Sequence, residues 1–152
     1  MARSFRGESV HRVDGKGRVS IPAPFRRVLE EGDPDWKSGE QANLVLIYGL
    51  QKGKCIEGYS MAGVDAVEAE IRDLDRHSKK RKRMERAMAA QSQDARVDTN
   101  GRIVLSERMK SMFNITSEAI FVGMIDKFEI WEPEAYAADQ ADLEAWDEDE
   151  DG

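Results

Sequence analysis

The chain has 152 residues, 40% of them hydrophobic and 35% charged, with a net charge of −7; that suits one medium domain or two small intertwined ones. No run approaches the roughly 18 consecutive apolar residues of a transmembrane helix, and no apolar segment follows Arg3 and Arg6, so no secretory signal is expected and the cytoplasm is the predicted compartment. A lone cysteine, Cys55, cannot form an internal disulfide, in keeping with a reducing compartment.

In chain order, a strand through Val10 to Val13 runs into a turn with Gly15 and Gly17, and a period-two strand follows to Ile21. Pro22 and Pro24 open a short helix over 25–31, since proline tolerates a first helical turn. Pro34, Gly39 and many charges mark 32–41 as an exposed loop. Two strands follow, at 44–48 and 55–59. Val64, Val67, Ile71 and Leu74 at helical spacing predict one long helix over 63–90, with Met84 and Met88 packing from one face. The pattern then restarts with a strand, an Asn100-Gly101 turn, a second strand, a helix capped by Ser106 and running to Phe113, and strands at 119–123 and 127–131. Phe128, Ile130 and Trp131 are expected to pack in the core or between subunits. Tyr136, Leu143 and Trp146 suggest a shorter helix fraying into the acidic terminus.

The restart is a duplication. Val10-His-Arg-Val-Asp-Gly-Lys-Gly-Arg-Val-Ser-Ile-Pro22 aligns with Asp94-Ala-Arg-Val-Asp-Thr-Asn-Gly-Arg-Ile-Val-Leu-Ser106. Arg12, Val13, Asp14, Gly17 and Arg18 recur as Arg96, Val97, Asp98, Gly101 and Arg102. The predicted domains are a first repeat at 8–60, a connecting helical segment at 61–92, a second repeat at 93–136 and a C-terminal helix with acidic tail at 137–152. Neither unit has enough apolar residues to close a core, so the two copies are expected to share one, with further strand surface covered by neighbouring chains.

Charge is unevenly spread. Residues 1–27 carry seven basic and two acidic side chains, and residues 72–86 carry eight and three, while Asp142, Glu144 and the run Asp147 to Asp151 concentrate acid at the end. Either basic block can neutralise phosphates locally, although 72–86, including the run Lys79 to Arg83, reads equally well as a solvated helix face. The repeated Asp-x-x-x-Arg is the sharpest feature. Arginine contacts phosphate with its fork or lies bidentate on guanine in the major groove, and an aspartate at the turn can hold that fork in one orientation. Arg18 is therefore assigned to base or phosphate contact, Arg12 and Lys16 to phosphate, and Asp14 to ordering the tip. Asp98 and Arg102 are assigned a parallel, lesser part, because Thr99 and Asn100 replace Gly15 and Lys16.

Other chemistries find little support. His11, read as a strand residue facing solvent or phosphate, and His77 have no partners at metal or triad spacing. Cys55 reads as a small buried hydrophobe, and no Gly-rich phosphate loop of the G-x-x-x-x-G-K type occurs. No enzymatic activity, cofactor or metal is expected. The alternative to DNA binding is an oligomeric protein-interaction scaffold, which leaves the duplicated basic tips unexplained.

Phe5-Arg-Gly7, the segment from Val13 to Pro22, Gly101-Arg102 and Lys127-Phe-Glu-Ile-Trp131 together resemble the MraZ transcriptional regulators of the wider AbrB/SpoVT-like swapped-hairpin group. The resemblance spans roughly residues 5–138. It implies an α+β, mainly β fold: a tandem duplicated swapped-hairpin β-barrel with flanking helices, assembling as a ring-shaped homo-oligomer. It further implies a nucleoid-associated repressor that binds short repeated boxes upstream of its own operon of cell-division and cell-wall genes, with the Asp-x-x-x-Arg elements contacting double-stranded DNA. Two departures stand out: Ser106 replaces the usual proline of the second copy, and Asn100 replaces the lysine of the first.

Overall fold

The computed structural model describes residues 4–50 and 53–151, with side chains through Trp146; Arg3 and the tail carboxylates from Asp147 onward lie outside the described side chains. Eight strands and five α-helices follow the duplicated order: β1 (Glu8–Arg12), β2 (Arg18–Ser20), α1 (Ala23–Glu31), β3 (Asn43–Ile47), β4 (Ile56–Ser60), α2 (Met61–Arg72), α3 (Lys79–Glu85), β5 (Ser92–Arg96), β6 (Arg102–Val104), α4 (Glu107–Met112), β7 (Glu118–Gly123), β8 (Phe128–Trp131) and α5 (Pro133–Asp151).

The two copies do not fold side by side; they exchange strands. One antiparallel sheet has the order β1-β7-β8-β4-β3-β5, and a separate ribbon pairs β2 with β6. Thus β1 of the first copy lies on β7 of the second, and β5 of the second lies on β3 of the first. The order reads the same from either end once each strand is replaced by its counterpart, so a pseudo-two-fold axis passes between β4 and β8. There Glu57 stands opposite Glu129, with Ile56 opposite Ile130 and Gly58 opposite Phe128 on either side. The expected turn after β1 forms, but among the described residues its arms share an isolated Val13–Val19 bridge and no strand ladder.

A single core draws on both copies, including Val13, Val19, Ile21 and Leu44 from the first and Val97, Ile103, Leu105 and Phe121 from the second. Phe5, Phe25, Phe121 and Phe128 are fully buried at its centre, with Phe128 within 5.2–5.8 Å, centroid to centroid, of the other three. Burying each ring contributes about 2–3 kcal/mol. Strand β3 is apolar from Leu44 to Ile47 because both its faces are covered there: Leu44 and Leu46 enter the shared core, while Val45 and Ile47 pack beneath Val64, Ile71 and Met88. Cys55 is buried near Val122 and Trp131, and burial pushes its thiol pKa up.

Two helical expectations need correction. Helix is interrupted between Arg72 and Lys79 and does not run from 63 to 90. The Asp75 carboxylate accepts the His77 N–H at 3.0 Å, and the Ser78 hydroxyl caps a new helix by accepting the Arg81 N–H at 3.1 Å. These polar side chains satisfy the backbone outside a helix, which local apolar periodicity does not register. A wider π-type turn at Arg86–Ala90 then buries Ala87 and Met88. The C-terminal helix, for its part, is 19 residues long and continues to Asp151. Tyr136 anchors it, packing 5.7 Å from the Trp131 ring and donating to Glu8 at 2.7 Å.

Near the axis the outer face of the sheet buries two carboxylates. Glu57 is fully buried and ion-paired to Lys127, and Tyr59 donates to it at 3.2 Å. Glu129 accepts the Trp131 indole N–H at 2.8 Å. Burial raises its pKa, an effect to which the Glu57 charge adds.

Two predictions follow from the packing. A Cβ added to Gly58 would stand 2.2 Å from Phe128 Cζ, whereas one added to Gly15 meets nothing within 4 Å. Gly58→Ala should therefore cost about 1–3 kcal/mol in urea denaturation, with Gly15→Ala close to wild type. The second concerns pH. Because the folded Glu129 holds its proton more tightly than the unfolded chain, stability falls as pH rises from the ordinary glutamate pKa to the raised one. Denaturation at several pH values should find that Glu129→Gln lacks this part of the decline.

Candidate nucleic-acid interface

The two tips are built alike. Oδ1 of Asp14 accepts the backbone N–H groups of Lys16 and Arg18, each at 2.9 Å, and Oδ2 accepts Arg18 Nε at 2.7 Å. Oδ1 of Asp98 likewise accepts the N–H groups of Asn100 at 2.8 Å and Arg102 at 2.9 Å, with Arg102 Nε donating to Oδ2 at 3.3 Å. Main-chain bonds close each turn, from Asp14 N–H to the Arg18 carbonyl and from Gly17 N–H to the Asp14 carbonyl, with the same pair at Asp98 and Gly101. Gly17 adopts φ +81° and Gly101 φ +76°, the left-handed region that only glycine occupies at little cost.

These bonds explain the charge state of the tips. The Arg18 amide, then its guanidinium, holds the Asp14 pKa down at about 2, and the Arg102 amide is the leading cause of the lowered value at Asp98. Both aspartates are therefore anionic throughout the neutral range and keep each fork engaged through Nε. The terminal nitrogens of Arg18 and Arg102 have no protein acceptor among the described residues.

Pairing of β2 with β6 brings the tips together. Arg18 stands opposite Val104, Val19 opposite Ile103, and Ser20 opposite Arg102. Antiparallel partners share a face, so Val19 and Ile103 point into the core while Arg18, Ser20, Arg102 and Val104 form the outer face. The tips lie at opposite ends of this short ribbon, and each is tied to the other copy: Ile21 N–H donates to the Gly101 carbonyl at 2.9 Å and Leu105 N–H to the Gly17 carbonyl at 2.7 Å. From strand spacings the two arginine Cα atoms are about 8 Å apart.

The structure therefore joins Arg18 and Arg102 on one face through a ribbon composed of both copies, where the sequence suggested a strand, turn and strand within each. Arg12 and Lys16 are exposed near the first tip, Arg12 standing opposite Glu118 on β7. Ser20 and Val104, 51% exposed, belong to the same face and escaped the sequence reading. Their signal was the alternation of Arg18-Val-Ser-Ile and Arg102-Ile-Val-Leu.

His11 is corrected: it is Val10 that points outward, and His11 lies half-buried and edge-on to Phe121 at 5.3 Å, with its Nε2 2.7 Å from the Ser9 hydroxyl. Burial lowers its pKa. In the basic run, Arg81 is a structural residue. It donates to the carbonyls of Arg72 at 3.3 Å and Leu74 at 3.1 Å, stitching α3 to the end of α2. Lys79, Lys80, Lys82 and Arg83 remain exposed. No described helix is long and apolar enough to cross a membrane.

Comparison with known proteins agrees with the duplicated architecture. The family model for MraZ proteins, antitoxin-like by its description, matches this chain twice, over residues 4–87 and 88–151. A transcriptional regulator MraZ of Ruegeria pomeroyi is 48% identical over 148 residues, covering 97% of this chain and 87% of that protein. Its namesake in Ruegeria sp. strain TM1040 is 47% identical over 136 residues, covering 90% and 81%. A third, from Cereibacter sphaeroides, is 43% identical over 148 residues, covering 93% and 87%. With both halves matched by the family model and nearly the whole length shared with these relatives, the chain belongs to the MraZ family.

Proposed function

We propose that this chain is a sequence-specific DNA-binding transcriptional regulator that reads DNA through the face carrying Arg18 and Arg102. The name shared by its relatives, transcriptional regulator, supports the function class. The observation that carries the DNA reading is the pair of aspartate-ordered arginines on one exposed ribbon face. A major groove is about 12 Å wide and admits a two-stranded ribbon, so arginines whose Cα atoms are about 8 Å apart on one ribbon can reach into the same groove. Each fork is oriented before binding, which lowers the conformational entropy lost on contact. Arg12 and Lys16 serve as phosphate contacts flanking the first tip, and Asp14 and Asp98 serve as positioning residues.

One ribbon touches few bases. Strong binding then requires several ribbons on several sites, as when a ring-shaped homo-oligomer of swapped-hairpin barrels meets repeated boxes whose spacing matches its subunits. Support for self-association comes from the turn between β7 and β8. There Ile125 is 62% exposed at φ +67°, and Met124 beside it is 42% exposed. A β-branched residue in that backbone region costs on the order of 1–3 kcal/mol, which burial against another subunit would offset. In this reading the protein is nucleoid-associated in the cytoplasm and represses its own operon of cell-division and cell-wall genes.

A mobility-shift titration on the DNA upstream of its own gene tests the function. Wild type should bind with affinity that falls steeply as salt rises, and Arg18→Ala should lose at least about fivefold, the lower end of one bidentate contact. Full binding by the variant would move recognition to another surface, and no binding by either protein would favour a protein-interaction scaffold. The assembly has its own test. Aspartate tolerates the left-handed region, so Ile125→Asp should leave the subunit folded by circular dichroism yet reduce the mass measured by light scattering.

A further inference from the structure

We propose that Arg26 and Arg27, on α1 of the first copy, form with Thr99 a seat for a DNA backbone phosphate beside the second tip. The proposal rests on the DNA-binding reading above and adds a contact to it. A polar hollow of about 290 Å³ opens between α1 and the second tip, with Arg26, Arg27, Gln41, Thr99 and Gly101 among its lining. The Arg26 side chain is held close against that tip: a Cβ placed on Gly101 would stand 1.7 Å from its Nη1 and 2.8 Å from its Cζ. Arg26 is half-buried and Arg27 exposed.

What singles out this hollow is a pair of arginines that no carboxylate engages among the described residues. Glu30 and Glu40 also border it, yet among the described residues neither arginine forms an ion pair. The Asp98 carboxylate is engaged by Arg102 and two backbone amides. Two neighbouring guanidinium groups, one partly desolvated, therefore face an open polar hollow with a threonine at its rim. A guanidinium fork matches two phosphate oxygens, and a hydroxyl supplies a further donor.

Comparison of the two copies gives independent support. By the alignment, Arg26 corresponds to Lys110 and Arg27 to Ser111. Lys110 is largely buried and paired with Glu107 at 3.6 Å, so the cation equivalent to Arg26 is spent within the protein. The first tip has its own lysine, Lys16, whereas the second has Asn100. Beyond the arginines common to both copies, each tip thus draws added positive charge from a different place: the first from Lys16 in its own turn, the second from Arg26 on the other copy's helix. A backbone phosphate next to the bases met by Arg102 suits this arrangement, since the exchange of strands holds α1 and the second tip in fixed relation.

The test is a salt series of fluorescence anisotropy titrations with the intact protein. It uses two duplexes, the DNA upstream of its gene and a scrambled sequence of equal length, and compares wild type, Arg18→Ala, Arg26→Ala and Arg26→Lys. Arg26→Ala should weaken both duplexes by a similar factor, about three- to tenfold. It should also reduce the slope of log affinity against log salt by about 1 for each tip engaged. Arg26→Lys should restore most of that slope. If Arg26→Ala matches wild type in affinity and slope while Arg18→Ala loses binding, the seat is refuted and the DNA reading stands. Equal weakness of Arg26→Lys and Arg26→Ala would make Arg26 a packing residue and overturn the inference. If wild type binds neither duplex at any salt, the DNA reading fails and the seat falls with it.

Discussion

The structure depends on the exchange of strands between two copies of one motif. Each copy contributes a two-strand hairpin, β3–β4 or β7–β8, and each hairpin is completed on its outer side by the first strand of the other copy. The remaining strand of each copy is three residues long. Alone it would be marginal, but β2 and β6 pair across the core and bury Val19 and Ile103 beneath them. Backbone hydrogen bonding, the aromatic core and the placement of the tips thus arise from one topological fact. Neither copy can assemble its core without the other.

That exchange also gives the tips their stiffness. A hairpin end of five residues would ordinarily be among the most mobile parts of a small domain. Here an aspartate accepts three N–H groups within its own turn, and the last carbonyl of each turn accepts an amide from the partner copy. The arginines project from a frame braced at both ends. Lengthening or shortening one turn by a single residue would slip the strand that follows it against its partner and carry that copy's arginine to the buried side, because strand faces alternate with period two.

Much of this was legible in the residues. The match of residues 10–22 to 94–106 exposed the duplication, and the turn glycines, the period-two strands and the Asp-x-x-x-Arg turns all form at the positions the sequence suggested. What remained hidden was of two kinds. Long-range pairing is chosen by the fit of whole faces, so nothing near Arg18 reveals that Arg102 lies across from Ser20. Polar side chains inside the fold gave no local signal either. Asp33, for example, is buried in the loop after α1, where it accepts the N–H groups of Asp35 and Asn43, both at 2.9 Å. Burial raises its pKa and those donors outweigh the effect, leaving the net shift downward. The helix broken after Arg72 belongs with these, since its apolar spacing continued while Asp75 and Ser78 redirected the chain.

Symmetry imposes a cost at the axis that explains where the copies differ. A residue beside a two-fold meets its own counterpart, so a duplicated glutamate faces a glutamate, as Glu57 faces Glu129. In an exact repeat both would be buried with identical surroundings, and like charges at such short range disfavour ionisation of the pair. Divergence relieves this. The second copy has Lys127 where the first has Cys55, and that lysine crosses to Glu57; it also has Trp131 where the first has Tyr59, and the indole donates to Glu129. The same freedom operates at the tips, where Lys16 has become Asn100. A homodimer of single repeats could not make these changes on one side alone. Fusing the copies into one chain keeps the symmetric scaffold and allows each side of the axis its own charges.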